Sequence, residues 1–152
     1  MYPRASSVGS SPYTKVRNSL SIVSNTILIM GSRDDLLNPI KARGRCYIET
    51  RKIQNLLKDN KISSRVVYAE NHNNPEYRYD NLGQHADHYA IYIPSENRVI
   101  DYTMRQFDPD CVHPFVGTRH QWKQKLEEAW DYKSVEVQTV KSVSDVSVGF
   151  GV

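Results

Sequence analysis

The chain has 152 residues and a net charge of +3, and its 39% hydrophobic and 24% charged content is typical of a globular protein. This length favours one domain with a substantial core. Lys and Arg are spread along the chain without a basic tract, so we expect no nucleic acid as partner. The longest apolar run, residues 22–30, is far shorter than the ~20 residues of a membrane span, so we expect no membrane insertion.

Residues 1–18 are rich in Ser, Gly and Pro and predict a flexible leader or linker before a single domain over residues 19–152. Residues 1–12 hold one Arg and no apolar core, so we expect no secretory signal peptide. Cys46 and Cys111 are too sparse for a disulfide framework, and both are expected to be reduced thiols.

The first elements of the domain are predicted to be helical or ambiguous. Residues 19–30 carry apolar side chains whose spacing fits either a helix or a strand. A turn and helix start at residues 31–35 follow, with Pro39 expected to act as a breaker.

Residues 46–58 predict an amphipathic helix. At 100° per residue, Cys46, Ile53 and Leu57 fall on nearly the same side of that helix. Cys46 is therefore expected to face the protein body at the tip of the helix.

The middle of the chain predicts strands. A strand over residues 64–69 leads into a long polar loop at residues 70–87, and loops of this length are often functional. Two alternating stretches, residues 87–93 and 98–103, are separated by residues 94–97, which fits an antiparallel hairpin.

The last clear helix is predicted over residues 118–132, with Thr118 opening a capping box and Trp122 and Trp130 as core anchors. A strand over residues 134–140 follows, and its Val/Ser alternation continues toward the end of the chain. Helices first, then strands with one more helix, predict an α+β domain with the helices packed on an antiparallel sheet.

Three residues of this layout have the chain order of a Cys-His-Asp catalytic triad: Cys46 at a helix start, His88 opening one strand and Asp101 closing the next. The thiolate is the reactive form of cysteine, and a helix N-terminus, an imidazolium and nearby arginines all stabilise it. This chemistry needs no cofactor and no metal.

The hairpin explains why His88 and Asp101 are expected to meet. A turn at residues 94–97 sets position 88 opposite position 103, which leaves Asp101 at diagonal reach on the same face. His85 competes for the role of base, but His88 lies on a rigid strand, whereas His85 lies in the loop.

Each of these residues also has a structural interpretation. Cysteine on the apolar face of a helix is usually inert packing, and a histidine or aspartate at a strand end is often only a solvated end group. The joint pattern is more specific than its parts.

The chain resembles the papain-fold bacterial toxin and effector domains that act as protein glutamine deamidases. The resemblance rests on Gly44-Arg45-Cys46 at a helix start, residues 87–90 opening a strand, and residues 99–103 followed by Gln106-Phe107. It covers about residues 36–116 and implies a papain-like core with the nucleophile on a helix start.

This resemblance implies a hydrolase that converts a glutamine of a target protein to glutamate and releases ammonia. It also implies secretion or injection without an N-terminal signal peptide, action in the cytosol of a target cell, and a cognate immunity or inhibitor protein as a further partner. The Trp, Gln and Asn positions that mark papain-like proteases have no clear counterpart here, which favours deamidation over proteolysis.

Other reactions use the same order of residues. Transglutaminases and arylamine acetyltransferases also have Cys, His and Asp in this order, so a papain-like protease and a transglutaminase-type acyl transferase stay open as alternatives. A non-catalytic protein-interaction domain, with Cys46 as core packing, is the alternative of another class.

Supporting roles can be assigned by residue type. The oxyanion of an acyl-transfer intermediate needs hydrogen-bond donors, for which the Cys46 backbone N–H and the side chains of Gln106 or Asn38 are candidates. Tyr77, Tyr79 and Tyr89 are candidates for the rim on which a protein substrate docks, or else they cover the sheet. Histidines near Cys111 could suggest a metal site, but their spacing fits no compact zinc pattern.

Overall fold

The computed structural model describes residues 21–71, 88–130 and 135–145, and this part of the chain forms an α+β fold. The helices are α1 (Ile22–Met30), α2 (Pro39–Ala42), α3 (Cys46–Asp59) and α4 (Arg119–Ala129), and the strands are β1 (Arg65–Asn71), β2 (His88–Ile93), β3 (Arg98–Asp101), β4 (Phe115–Gly117) and β5 (Val135–Val140).

The five strands form one antiparallel sheet in the order β4-β3-β2-β1-β5. The predicted hairpin is present between β2 and β3, with Ile91 opposite Ile100 and Ile93 opposite Arg98. Its connection is a 3-10 turn closed by Asn97, whose left-handed backbone (φ 50°) is tolerated well by Asn. Continued by three residues, this register sets position 88 opposite position 103, as expected from the sequence.

The two faces of the sheet are covered by different helices. Ile53 and Leu57 of α3 pack with Ile91 and Ile100 in one core cluster. On the opposite face, α4 contributes side chains to a second cluster with β1 and β3, which includes Trp122, Leu126, Val67 and Val99. Alternate residues of β2 therefore point to opposite helices, and this alternation decides on which side each polar side chain lies.

Helices α3 and α4 agree with the predictions. Helix α3 ends one residue beyond the predicted range, and α4 lies inside the range predicted for it. Thr118 and Gln121 form the expected capping box, with Thr118 Oγ1 accepting from Gln121 N at 3.1 Å. Trp122 and Trp130 are buried, which confirms that they anchor the core.

The ambiguous segment before residue 31 is helical. Ser21 caps α1, and the backbone N–H groups of Ile22 and Val23 donate to Glu96 in the hairpin turn. A distant carboxylate thus satisfies orphan donors of the first turn, a contact that local periodicity cannot indicate.

Pro39 separates two helical stretches, as expected: the 3-10 helix Asp34–Leu37 ends before it, and its fixed φ suits the first position of α2, which the side chain of Asn38 caps. Two local predictions were wrong. The strand expected over residues 98–103 ends at Asp101, and the chain turns there into a 3-10 helix at Met104–Gln106. Val143–Asp145 forms a 3-10 turn rather than continuing the strand alternation.

Strand β4 was not predicted. It has only three residues and follows a Pro-containing segment, so it carries too little alternation to be recognised. The predicted leader, most of the loop at residues 70–87 and the end of the tail lie outside the described residues. Among the helices of the described ranges, none is long and apolar enough to cross a membrane.

Candidate active site

His88 and Asp101 form a buried hydrogen-bonded pair on the α4 face of the sheet. The His88 Nε2 atom lies 2.7 Å from Asp101 Oδ2, and both residues are at most 2% exposed. The predicted contact between the two side chains is therefore present.

Further donors hold the Asp101 carboxylate. The Trp122 indole N–H donates to Oδ2 at 2.8 Å, and the Thr103 backbone N–H donates to Oδ1 at 2.9 Å. Burial raises the pKa of Asp101, but the charge of His88 and these hydrogen bonds outweigh it, so the pKa lies below its usual value. The carboxylate is thus ionised and fixed in orientation.

The same pairing acts on the imidazole. Burial lowers the pKa of His88, but the charge and hydrogen bond of Asp101 outweigh burial, and the pKa is raised above its usual value. The charged imidazolium is therefore favoured, with Nε2–H donating to Asp101.

Aromatic side chains fix the plane of the His88 ring. Phe107 packs edge-on against it at 4.8 Å between ring centroids, and Trp122 stacks on it at 5.8 Å with an interplanar angle of 25°. Because Trp122 also binds Asp101, one side chain orients both members of the pair.

Cys46 is the neighbour on the other side of the imidazole. It occupies the first position of α3, is partly buried, and lies close enough to His88 to raise the pKa of that imidazole further. Since Nε2 binds Asp101, Nδ1 is the ring nitrogen that remains for Cys46, and it is buried without a hydrogen-bond partner among the described residues. The structure thus brings Cys46, His88 and Asp101 into one cluster.

Gln106 joins the turn before Cys46 to the segment after Asp101. Its Oε1 atom accepts from the Gly44 backbone N–H at 3.3 Å, which fixes the orientation of the amide. The Nε2 group of Gln106 is buried and has no hydrogen-bond partner among the described residues. A buried donor without a partner is unusual, because leaving it unpaired costs about 1–3 kcal/mol.

Asn38, the alternative oxyanion candidate, is placed differently. Its exposed side chain caps α2, with Oδ1 accepting from Ile40 N at 2.9 Å and from Lys41 N at 3.3 Å. The structure gives Asn38 a capping role and brings Gln106 against the turn that precedes Cys46.

Glu49 forms a second buried charged group one helical turn after Cys46. Its carboxylate is paired with the guanidinium groups of Arg33 and Arg45. Burial raises the pKa of Glu49, but hydrogen bonds from both arginines outweigh it and hold the pKa below its usual value. This cluster was not predicted from the sequence, although the position of Glu49 beside the buried face of α3 is a signal for it.

The expected tyrosine rim is corrected in part. Tyr89 is 5% exposed and packs against Tyr47 and Tyr68, with ring centroids at 5.9 and 5.3 Å. It therefore covers the sheet rather than lining a rim, because the strand alternation points it to the core under α3. Tyr77 and Tyr79 lie outside the described residues.

The residues considered for a metal site do not gather. Cys111 is buried, while His113 Nε2 donates to the backbone carbonyls of Ser32 and Arg33 at 3.1 and 3.2 Å. In the described ranges, no group of three His, Cys, Asp or Glu side chains is arranged to hold a metal ion.

Comparisons of the chain with family models, with curated proteins and with solved structures found no significant match. The chemistry of the cluster and the sequence pattern are therefore the basis on which a function can be inferred.

Proposed function

We propose that this chain is a cysteine-dependent hydrolase in which Cys46 is the nucleophile, His88 the acid and base, and Asp101 the residue that orients His88. The observation that carries the proposal is the buried His88–Asp101 pair at 2.7 Å. Asp101 occupies Nε2 of the imidazole, so only Nδ1 is available to interact with the nearby thiol of Cys46. A buried ion pair is costly and needs good geometry, so its position beside a thiol at a helix start favours catalysis.

The substrate that fits the sequence resemblance best is the side-chain carboxamide of a glutamine in a target protein. The Cys46 thiolate attacks the carbonyl carbon, and a C–S bond forms while the C–N bond breaks. The Nδ1–H group of His88 gives its proton to the departing nitrogen, which leaves as ammonia. A water molecule then attacks the thioester, His88 takes its proton, and glutamate and the free thiol result.

The oxyanion of both tetrahedral intermediates needs at least two donors in this scheme. The Cys46 backbone N–H is one, because the first amide groups of a helix have no carbonyl partner within it. The Nε2 group of Gln106 is the other, since it is buried without a partner among the described residues and the Oε1 atom of the same amide is held by the Gly44 N–H. Loss of one such donor costs on the order of 10²–10³ in rate.

The biological setting follows the same resemblance. The domain acts as a bacterial toxin or effector that reaches the cytosol of a target cell, and a cognate immunity or inhibitor protein is its expected second partner. Conversion of glutamine to glutamate adds one negative charge, which is enough to disable a recognition surface without cutting the chain.

The experiment is incubation of the protein with blocked glutamine peptides while ammonia, fragments and mass are followed. Ammonia release with conversion of Gln to Glu supports the proposal. Cleaved fragments would reassign the chain to a protease, and incorporation of an added primary amine would reassign it to an acyl transferase. Unchanged turnover in Cys46→Ala would remove Cys46 as nucleophile, with Cys111→Ala as the matched control.

A second measurement needs no substrate. Alkylation by iodoacetamide near pH 6 should reach Cys46 well before Cys111, whose pKa is raised by burial. The rate at Cys46 should fall in His88→Gln. Equal rates in both proteins would favour the non-catalytic interaction domain.

A further inference from the structure

Exposed apolar side chains are concentrated in the stretch of sequence around Cys46. Seven large hydrophobic side chains are exposed in the described residues, and four of them, Leu37, Ile40, Tyr47 and Ile48, fall within the twelve residues 37–48. Ile40 is the most exposed of these four, at 71%. Scattered exposed apolar residues are ordinary, but a group within a few residues of Cys46 indicates a contact surface.

The same segment holds the positive charge of the protein. Residues 33–52 contain six Lys and Arg against three Asp and Glu, and their net charge of +3 equals that of the whole chain. Two of the three acids are neutralised locally, because Glu49 and Asp35 are both paired with Arg33. The segment therefore presents an excess of cations.

Two cations that precede Cys46 in this segment form no ion pair with any described residue. They are Lys41, which is exposed, and Arg43; Arg51, which lies in α3, also forms none there. The Nε group of Arg43 is buried without a hydrogen-bond partner there. Lys41 lies in α2 and Arg43 directly follows that helix, so both precede Cys46 by at most five residues, in the same stretch as the exposed Leu37 and Ile40.

We propose that this surface, the Cys46 rim (Leu37, Ile40, Lys41, Arg43, Tyr47 and Ile48), docks an acidic segment of the target protein, in which Asp or Glu and an apolar residue flank the substrate glutamine. This inference rests on the proposed function, since it assigns a substrate class to the same thiol. Apolar contacts supply affinity, while the complementary charge selects the partner and speeds association. A basic target would meet like charges at Lys41 and Arg43.

The test uses two blocked glutamine peptides that share one apolar residue and differ in flanking Glu or Lys. Ammonia release should give a kcat/KM for the acidic peptide that is about tenfold or more above that for the basic peptide at low salt, falling as salt screens the charges. The double variant Lys41→Glu/Arg43→Glu should abolish or invert this preference. Lys41→Glu alone, at an exposed position, should reduce it if the double variant does not fold.

A matched control tests position rather than total charge. Lys58→Glu/Lys61→Glu makes the same change in net charge at the opposite, exposed end of α3, and should keep the preference. Ile40→Ser should raise KM for both peptides, because it removes apolar contact without altering charge. If the control abolishes the preference as fully as the rim variant does, the effect is one of net charge and the proposal is overturned.

A binding measurement tests the docking surface independently of the proposed deamidation. Anisotropy of the labelled peptides with Cys46→Ala measures docking without turnover. Selective binding of the acidic peptide without any turnover by the wild type would support the rim and overturn the proposed reaction. Turnover without preference for acidic flanks would support the reaction and overturn the rim. Neither turnover nor selective binding would overturn both.

Discussion

Asp101 and Glu49 are the two buried carboxylates of the described residues, and both are 2% exposed. Asp101 faces an imidazole, an indole N–H and a backbone N–H, whereas Glu49 faces two guanidinium groups. Both carboxylates have a lowered pKa, so each is ionised. The partners, not the burial, make the two sites different.

The two kinds of partner differ in whether they can exchange a proton. A guanidinium stays charged throughout the accessible pH range and cannot pass a proton on, so Glu49 only neutralises arginines and fixes the start of α3. An imidazole can give up a proton and take it back, so a carboxylate paired with it can support chemistry at the neighbouring thiol. Arg33 adopts a left-handed backbone (φ 51°), which costs about 1 kcal/mol, and both Asp35 and Glu49 bind its side chain.

The largest expected effect comes from removing each carboxylate charge in turn. Asp101→Asn should lower kcat by about 10²–10⁴-fold, because the amide no longer holds the imidazole in the required tautomer. Steady-state ammonia release, with circular dichroism to confirm folding, measures this loss.

Glu49→Gln is the paired control for that change. It should lower the free energy of unfolding by about 2–3 kcal/mol, because Arg33 and Arg45 lose their counter-charge, while kcat stays within about threefold. Urea unfolding measures the loss of stability, and ammonia release measures kcat. A large loss of kcat in Glu49→Gln with normal stability would show that Glu49 takes part in the reaction and that the two carboxylates do not differ in role.

Raising the pH should weaken only the His88–Asp101 pair. The pKa of folded His88 is raised above the unfolded value of 6.5, so its contribution is complete below pH 6.5 and is lost as the pH rises through the folded pKa. In that window the free energy of unfolding should fall by up to about 1.4 kcal/mol per pH unit. The arginines of Glu49 add no such slope.

Falling pH weakens both sites instead. The lowered pKa values of Asp101 and Glu49 mean that their contributions to stability are complete above the unfolded pKa values of 3.8 and 4.5 and are lost as the pH falls through the folded values.

The alkaline slope is measured by urea unfolding of the wild type and of His88→Gln from pH 6 to pH 9. The same slope in both proteins would rule out His88 as its source.

A smaller effect is expected when one donor of Asp101 is removed. Trp122→Phe keeps an aromatic ring against His88 but deletes the indole N–H, and should lower kcat by about tenfold, since a hydrogen bond to a charged group is worth about 1.5–3 kcal/mol. The acid limb of the pH–rate profile should also move to higher pH, because the bond to Trp122 lowers the pKa of Asp101.

Trp130→Phe is the matched change at the C-terminal end of the same helix. It removes an indole from the same core without touching the hydrogen bond to Asp101, so it should reduce stability and leave the pH–rate profile in place. A shifted profile in both variants would show that loss of packing, and not the hydrogen bond, moves the titration.

How much of this site the sequence predicts depends on how local each contact is. The meeting of His88 and Asp101 follows from a short hairpin, in which four connecting residues fix the register. Helix α3 and the position of Cys46 at its start follow from periodicity over fourteen residues. These parts could be derived because each depends on neighbours in the chain.

The supporting contacts depend on how distant elements pack. Trp122 is recognisable as a core residue, but periodicity does not say that its N–H faces Asp101, 21 residues away. Gln106 reaches Gly44 across 62 residues through a 3-10 turn that the sequence presents as a strand end. Glu49 is paired with Arg33, which has a left-handed backbone conformation that no residue pattern indicates.

The smallest expected effect concerns the third cation near Glu49. Lys52 Nζ lies 3.9 Å from Glu49 Oε2, but the lysine side chain is 54% exposed, against 18% for Arg33. Exposed pairs are screened by water and salt and contribute up to about 1 kcal/mol, so Lys52→Ala should change the free energy of unfolding by less than about 0.5 kcal/mol. Urea unfolding at low and high salt measures it. A loss of stability comparable to that of Glu49→Gln would mean that long-range charge, rather than the two guanidinium groups, stabilises the Glu49 carboxylate. The specific partners would then no longer explain how Glu49 differs from Asp101.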